Sequence, residues 1–515
     1  MILTPIDVCA VLSAVSLFLV LRLRIGRSRR FMSYPPGPPA TLLGNLMDIP
    51  TSREAERYAE MSKRYGPLLH LRVLDRHLIV INTLKVAEDL LERRGAIYSD
   101  RPQFTMLGEL MGWGWAPTFQ PYGRRWREHR RVFQANMSTT TLSSHHHAIQ
   151  QYANCKMLTG LLDTPEDFMT HTHLAAASGI LMMSYGIDID KDSEYLRLCE
   201  AGVESIVEAG VPGTYAVDWI SSLKHLPSWV PGANFKRKAR VWKDLSTRVY
   251  EEPFAHARSA MARGIDTKSW VCEQLSRQEF SQIPEEILKA CTATTFSAGV
   301  DTIKSCVNAA ILALVLHPDV QDRVYREIVT VVGRDKLPDP KDRDQLPMTE
   351  AFLREVYRFY PPVPLGIPHK LMEDDIYNGY FVPKDSTVLA NIWAMCRDPG
   401  LFPNPDRFDP QRFLSINGEI SAAVPDPRAV IFGFGRRVCP GRLYGDSAVW
   451  LGIATIVACF SVEPSAEGPP SGEMRSGLGS GPVPFECTMT PRSKSTASLI
   501  TDAAAAATEI KSRIL

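Results

Sequence analysis

Residues 432–441 of this 515-residue chain read FGFGRRVCPG, a single cysteine ringed by glycines and arginines. Gly433, Gly435 and Gly441 free the backbone to take positive φ and to approach a flat neighbouring group. Arg436 and Arg437 put positive charge beside the Cys439 sulfur and favour thiolate, the form that acts as nucleophile or metal ligand. Pro440 and the apolar run VWLGIATIVACF predict a helix beginning just after the cysteine, whose first amides would stabilise the anion further. The plain alternative is a structural cysteine on a glycine-rich turn. A second string, AGVDT over Ala298–Thr302, sets a carboxylate and a hydroxyl side by side in a helical run. Gly299 weakens that helix by about 1 kcal/mol relative to alanine, and the Thr302 hydroxyl can bond back to the carbonyl four residues earlier. Such a turn can hold a small molecule and relay protons to it, or it can be ordinary helix.

Two arginine-bearing segments complete the candidates. YGRRWREHRRVF carries Arg124, Arg125, Arg127, Arg130 and Arg131 around Trp126, with Trp126 and Arg130 on one face. One side of this helix can reach a buried anion while the other offers a patch to an acidic protein, or the whole is a charged surface helix. Glu355 and Arg358 stand three apart and can pair, and Phe352, Leu353, Val356 and Phe359 around them point to burial. Arg407, in the proline-rich NPDRFDPQRF, is the candidate third member of that pair's network.

The elements that must position these groups are mostly helices, so the fold class is mainly α with small β-sheets. The run from PEEILKAC to VYREI carries apolar residues at 3.6 spacing and breaks only near His317-Pro318. MTEAFLREVYRFY is a further helix, stopped by Pro361-Pro362. Strands are short: LLHLRVL with HLIVINT, then GYFVPKDSTVLAN, and PFECTMTPR near the end. Residues 464–484 are rich in Gly, Pro and Ser and read as loop. No linker or repeat divides residues 41–500, which are expected to form one catalytic domain; residues 501–515 read as a frayed helix or tail.

Composition is that of an ordinary globular protein, 45% hydrophobic and 22% charged with net charge +1, so bulk electrostatics do not point to nucleic acid. Ten scattered cysteines without a CxxC pair argue against a disulfide scaffold and for a reducing compartment. Residues 1–21 carry a single charge, Asp7, have about the length of a membrane span, and are followed by Arg22, Arg24, Arg27, Arg29 and Arg30. This order predicts a transmembrane anchor with the body in the cytosol. Residues 22–40, basic and then proline-rich through YPPGPPA, are expected to form a stiff hinge that holds the body off the bilayer.

Taken in order, WxxxR at Trp126 and Arg130, AGxDT at Ala298–Thr302, ExxR at Glu355–Arg358 and FxxGxRxCxG at Phe432–Gly441 resemble the cytochrome P-450 haem-thiolate monooxygenases. The resemblance covers nearly the whole chain, anchor and hinge included. It implies the cytochrome P-450 fold, haem b as cofactor and Cys439 as the metal ligand, a thiolate whose electron donation favours O–O cleavage. Arg437, Trp126 and Arg130 would hold the haem propionates, and His369 of GIPHK stands where a further propionate partner is frequent. Asp301 and Thr302 are similar to the acid–alcohol pair that hands protons to dioxygen, and Glu355, Arg358 and Arg407 to the family's buried structural triad. Departures are Ile303, where a second hydroxyl is frequent, and PDRF where the family has PERF.

The activity implied is insertion of one oxygen atom of O2 into a C–H bond, in a protein anchored to the endoplasmic reticulum and facing the cytosol. Electrons would come from NADPH through a separate flavoprotein, NADPH-cytochrome reductase, since the chain carries no flavin or nicotinamide motif. SLKHLPSWVPGANFKRKA, PLGIPHKLMEDDIYNGYFVPK and NIWAMCRDP are similar to fungal secondary-metabolite members, especially the group like O-methylsterigmatocystin oxidoreductase. This implies a hydrophobic substrate, terpenoid or polyketide, facing residues 102–119, 296–302, 363–367 and the loop around Leu478. A haem-thiolate isomerase or dehydratase acting on a peroxide, and a haem sensor without catalysis, are the competing readings; Asp301 and Thr302 count against both.

Overall fold

A computed structural model describes residues 32–137, 144–265, 267–276 and 283–514. The anchor expected over 1–21 and the arginines at 22–30 lie outside these residues. The main helices are α1 (Glu54–Tyr65), α2 (Arg124–Met137), α3 (Ser144–Asp163), α4 (Phe168–Tyr185), α5 (Glu194–Ala209), α6 (Asn234–Ala262), α7 (Glu285–Leu316), α8 (Pro318–Val331), α9 (Pro347–Phe359), α10 (Arg442–Cys459) and α11 (Lys494–Ile514). The protein is mainly helical with small sheets, as its periodicity predicts.

Helix α7 is the axis of the core. Its apolar residues lie on every side, which suits a helix enclosed by others rather than one with a solvated face. Its hydroxyl side chains are made compatible with that interior by bonding to their own helix: Thr292 to the Leu288 carbonyl at 3.1 Å, Thr295 to Cys291 at 3.0 Å and Ser297 to Ala293 at 3.0 Å. Burial lapses in the middle, at Ala298, Gly299, Asp301, Thr302 and Lys304, so the helix is open where its sequence motif sits. Pro318 ends it by opening α8 at the first helical position. Among the described residues α7 is the one helix long and apolar enough to cross a bilayer, and it is largely buried inside the protein.

A four-stranded sheet flanks the helices in the order β1 (Leu68–Val73), β2 (Arg76–Ile81), β6 (Thr387–Ala390), β3 (His369–Lys370). Strands β1 and β2 form a hairpin with Leu68 opposite Ile81, β2 runs parallel to β6, and β6 returns antiparallel to β3, with His369 opposite Val388. Strands β4 (Asp375–Tyr377) and β5 (Tyr380–Val382) pair with each other, as do β7 (Phe460–Pro464) and β8 (Cys487–Pro491). From Ser33 on, the proline-rich segment lies against two of the sheets: Pro36 accepts a bond from the His70 amide of β1 at 2.9 Å, and Ser33 one from the Phe381 amide of β5 at 2.9 Å. This part of the expected hinge is docked rather than free-standing. Residues 501–514 continue α11 without a break; Ile500 and Ala507 are buried, and Lys511 reaches Asp188 at 2.7 Å.

The expected triad forms with one change of partner. Glu355 and Arg358 are fully buried and joined twice, at 2.7 and 2.8 Å. The third side chain is Arg412, whose Nε lies 3.2 Å from Glu355. Arg407 contributes only its backbone carbonyl, which accepts from Arg358 and Arg412, while its side chain is exposed. The turn Asn404–Arg407 places that carbonyl inward, and the short helix Pro410–Phe413, PQRF, delivers the arginine.

Candidate active site

The cysteine loop is held at a few fixed points. Gly433 and Gly435 have φ of 76° and 53°, and a Cβ on Gly435 would meet the Leu91 carbonyl at 2.3 Å, so glycine is required there. Gly441, by contrast, has ordinary φ and serves as the N-cap of α10. The Cys439 amide donates to the Phe432 carbonyl at 2.8 Å and closes the loop. Every other described cysteine is buried, whereas Cys439 is partly open because it faces a cavity.

Burial pushes the Cys439 thiol up; the Gly441 amide and then the Arg130 and Arg442 guanidiniums pull it back. The cations near the sulfur are therefore Arg130 and Arg442, not the sequence neighbours Arg436 and Arg437. Arg436 turns outward to the Tyr122 hydroxyl at 2.6 Å, and Arg437 turns away toward the backbone of residues 99–120. A thiol that burial keeps protonated until a cation arrives, backed by a helix N-terminus, suits a metal ligand better than a free nucleophile.

Around the same cavity stand the remaining candidates. Arg130 on α2 bonds to the Val438 carbonyl at 2.6 Å, tying that helix to the loop. Arg437 donates to Ser99 O at 2.7 Å and Gln120 O at 2.9 Å and lies 4.4 Å from the centre of the Trp126 ring. Burial lowers its pKa to about 10, so it is a cation near neutrality. These two bonds, with a longer one to Pro117 at 3.4 Å, leave part of its five-donor fork unengaged. His369 on β3 donates from Nδ1 to the Tyr98 carbonyl at 2.8 Å, and burial, then Arg101, hold it neutral. Arg101 itself escaped sequence analysis, since nothing in SDRPQF marks it. It is buried, bonds to the carbonyls of Thr118, Ile367 and Pro368, and lines the cavity beside Arg437.

Across the cavity, the Thr302 hydroxyl donates to Ala298 O at 2.9 Å, the backward bond expected of it. Asp301 pairs with Lys304 at 3.2 Å, one turn further along α7. The cavity holds about 340 Å³ and is overwhelmingly apolar. Its walls include Trp113, Phe119, Val363, Ile367 and Leu478, all from the segments expected to meet substrate. Val203, Ile206 and Val207 of α5 also line it, and sequence analysis did not select them.

The fit to a porphyrin can be judged from the groups themselves. One cysteine lines the cavity, its glycine-rich loop leaves a flat approach, and three arginines with a tryptophan and a histidine gather on the same walls. Among the described residues no group of three or more His, Cys, Asp or Glu side chains could hold a metal on its own, so Cys439 could bind one only with a macrocycle supplying the other ligands. A cysteine loop facing an opened core helix across an apolar chamber defines a haem-thiolate monooxygenase.

The comparisons with known proteins agree with that geometry. Residues 35–489 match the family Cytochrome P-450, and the chain belongs to it; its cofactor is haem b. It is 37% identical to cytochrome P-450 monooxygenase 98 of Postia placenta over 95% of each chain. It is 35% identical to tryptamine 4-monooxygenase of Psilocybe cyanescens, over 92% of this chain and 94% of that one. Identity is 36% with cytochrome P-450 monooxygenase claR of Ampulloclitocybe clavipes, over 91% and 88%.

Proposed function

We propose that this monooxygenase oxidises a hydrophobic small molecule of fungal secondary metabolism, a terpenoid or polyketide intermediate, at the endoplasmic reticulum. The observation that carries the reading is the apolar chamber of about 340 Å³ bounded by Cys439 on one side and by Asp301 and Thr302 on the other. When bound, haem b supplies the activation of O2 and the transfer of one of its oxygen atoms to a C–H bond.

Each residue then has a physical task. Cys439 would hold the haem iron through its thiolate, whose negative charge the Gly441 amide, Arg130 and Arg442 favour. Arg437, Arg130 and Arg101 would receive the propionates with donors their carbonyl bonds leave over, and Trp126, beside Arg437, would add its ring N–H. His369 presents Nε2 as an acceptor, so it would have to take up a proton there before it could receive a propionate. Thr302 presents hydroxyl lone pairs to the chamber while its proton rests on Ala298 O; it orients a water there and passes a proton only after releasing that carbonyl. Asp301, held by Lys304, can reload it only after taking up a proton from water that reaches the pair. The wall residues exclude bulk water and so limit the loss of reducing equivalents as peroxide.

Electrons come from NADPH through a flavoprotein reductase, for which the outward arginines of α2 form a basic face. The apolar residues 1–21 followed by five arginines support a cytosolic orientation. Asn136, the start of an N-x-S sequence, bonds through its side chain to Val132 O at 2.8 Å within α2 and is expected to carry no glycan.

One preparation tests all of this. Microsomes bearing the chain and a reductase should convert a fed terpene or polyketide scaffold into a product heavier by one oxygen, with NADPH consumed. Their CO-bound reduced form should show the long-wavelength Soret band of thiolate ligation, which Cys439→Ala should abolish. External protease should digest the body. Turnover of a hydroperoxide without reductase, or a protease-protected body, would overturn the reading.

A further inference from the structure

Asp301 is the one carboxylate lining the chamber among the described residues, and it already has a cation. Its partner Lys304 stands three residues on, so both side chains leave the same face of α7 and meet at 3.2 Å, each mostly buried. The other charged groups on the wall, Arg101, Arg130 and Arg437, are cations. Of the α7 hydroxyls on the wall, those of Thr295, Ser297 and Thr302 are turned back to their helix and that of Thr294 has no partner, and all four are neutral. The titratable groups of the neighbouring helices that feel Asp301 and Lys304 are His173 of α4 and Cys199 of α5, and burial keeps both uncharged near neutrality. From the covering loop, Gly479 approaches Asp301 with backbone only.

We propose that Lys304 sets the charge class of the substrate: by occupying Asp301 it leaves a chamber that admits uncharged molecules and rejects organic cations. This rests on the reading that the apolar chamber is the substrate site. An ammonium moved from water into such a space loses its hydration and needs an anion to receive it. Here the available anion is engaged, and displacing Lys304 would strand a second buried cation. An uncharged terpenoid or polyketide meets no such barrier. Lys304 acts through Asp301, not by touching substrate, and is a specificity determinant by charge compensation.

The test uses haem-loaded protein and an isosteric pair, 3,3-dimethylbutylbenzene and phenethyltrimethylammonium, which differ by one carbon exchanged for N⁺. The quaternary cation can neither lose its charge nor ligate iron. Binding is read from the substrate-induced Soret shift, with equilibrium dialysis in parallel. Wild type should bind the neutral probe at least about 30-fold more tightly. Lys304→Met should reduce the ratio to about threefold or less by freeing the carboxylate, and Lys304→Gln gives the same comparison in a polar side chain. Lys304→Arg should restore the wild-type ratio. Wild type binding both probes within about threefold, or Lys304→Met leaving the ratio unchanged, overturns the proposal while leaving the chamber as the substrate site. Dialysis showing binding of both probes with no Soret shift for either overturns the chamber reading and this proposal with it.

Discussion

Glu355 and Asp301 each have a basic residue three positions on along the same helix, and the two pairs have opposite characters. Glu355 and Arg358 are wholly inaccessible, meet at 2.7 Å and are closed by Arg412 and by the Asp409 amide at 2.7 Å. Arg358 is further held by the carbonyls of Cys396 and Pro405. Asp301 and Lys304 meet at 3.2 Å, retain 16% and 13% exposure, and border a chamber. Identical spacing thus gives a locked structural pair in one region and an openable functional pair in the other. What differs is the number of additional partners and the access left to one side.

The sharpest way to break this contrast is to remove the carboxylate of the locked pair. Glu355→Gln leaves Arg358 and Arg412 as uncompensated cations in a dry interior, which should cost about 3–5 kcal/mol. Urea unfolding should show that loss, together with haem content far below wild type. Arg407→Met, which removes only an exposed side chain, should stay within about 0.5 kcal/mol. If Arg407→Met were as damaging as Arg412→Met, the assignment of the third arginine would fail.

A second effect belongs to the open pair's surroundings. Burial, followed by the charge of Lys304, lowers the His173 pKa from its ordinary value of 6.5 to about 4. Between these values the unfolded chain binds a proton that the folded one does not, so stability rises with pH across that window. Stability should therefore decline as pH falls below about 6.5 and level off below about 4, by up to about 3 kcal/mol. His173→Asn, which cannot titrate, should flatten that part of the profile in urea melts taken from pH 4 to 7. An unchanged slope would place the titration elsewhere.

The smallest expected change in stability comes from the open pair itself. Lys304→Met should cost about 1–2 kcal/mol, between an exposed pair and a fully buried one, because the chamber leaves water some access to the Asp301 carboxylate. Thr302→Ala should cost about as little, while diverting NADPH consumption toward peroxide. A loss for Lys304→Met equal to that for Glu355→Gln would show that the two pairs are one kind of device.

Much of this architecture was legible before any coordinates. The 3.6 periodicity of α7, its end at Pro318 and the alternating strands near residues 68–81 all follow from local rules, because backbone geometry couples neighbouring residues directly. Less visible were partners chosen across long sequence separations. Arg407 and Arg412 both sit in Pro-x-Arg-Phe strings, and only the turn at Asn404–Arg407 decides which of them faces inward. Arg101 carries no local signal, since its role arises from carbonyls of residues 118, 367 and 368. Residues 501–514 of α11, expected as a frayed helix or tail, become part of the body through contacts of Lys511 with Tyr152 of α3 and with Asp188.

By itself, then, the sequence determined which cysteine can be a ligand, because glycine conformations and a following helix are properties of adjacent residues. It also determined the class of chemistry, through four short motifs in fixed order. The tertiary structure decided which cations face the sulfur. Arg436 and Arg437 lie within three residues of it in the chain, yet the guanidiniums that favour its anion are those of Arg130 and Arg442, because a tight turn points successive side chains in divergent directions. The charge state of the chamber was likewise a tertiary matter: Lys304 becomes significant only where α7 opens and leaves Asp301 facing an apolar space in which a carboxylate must find a partner.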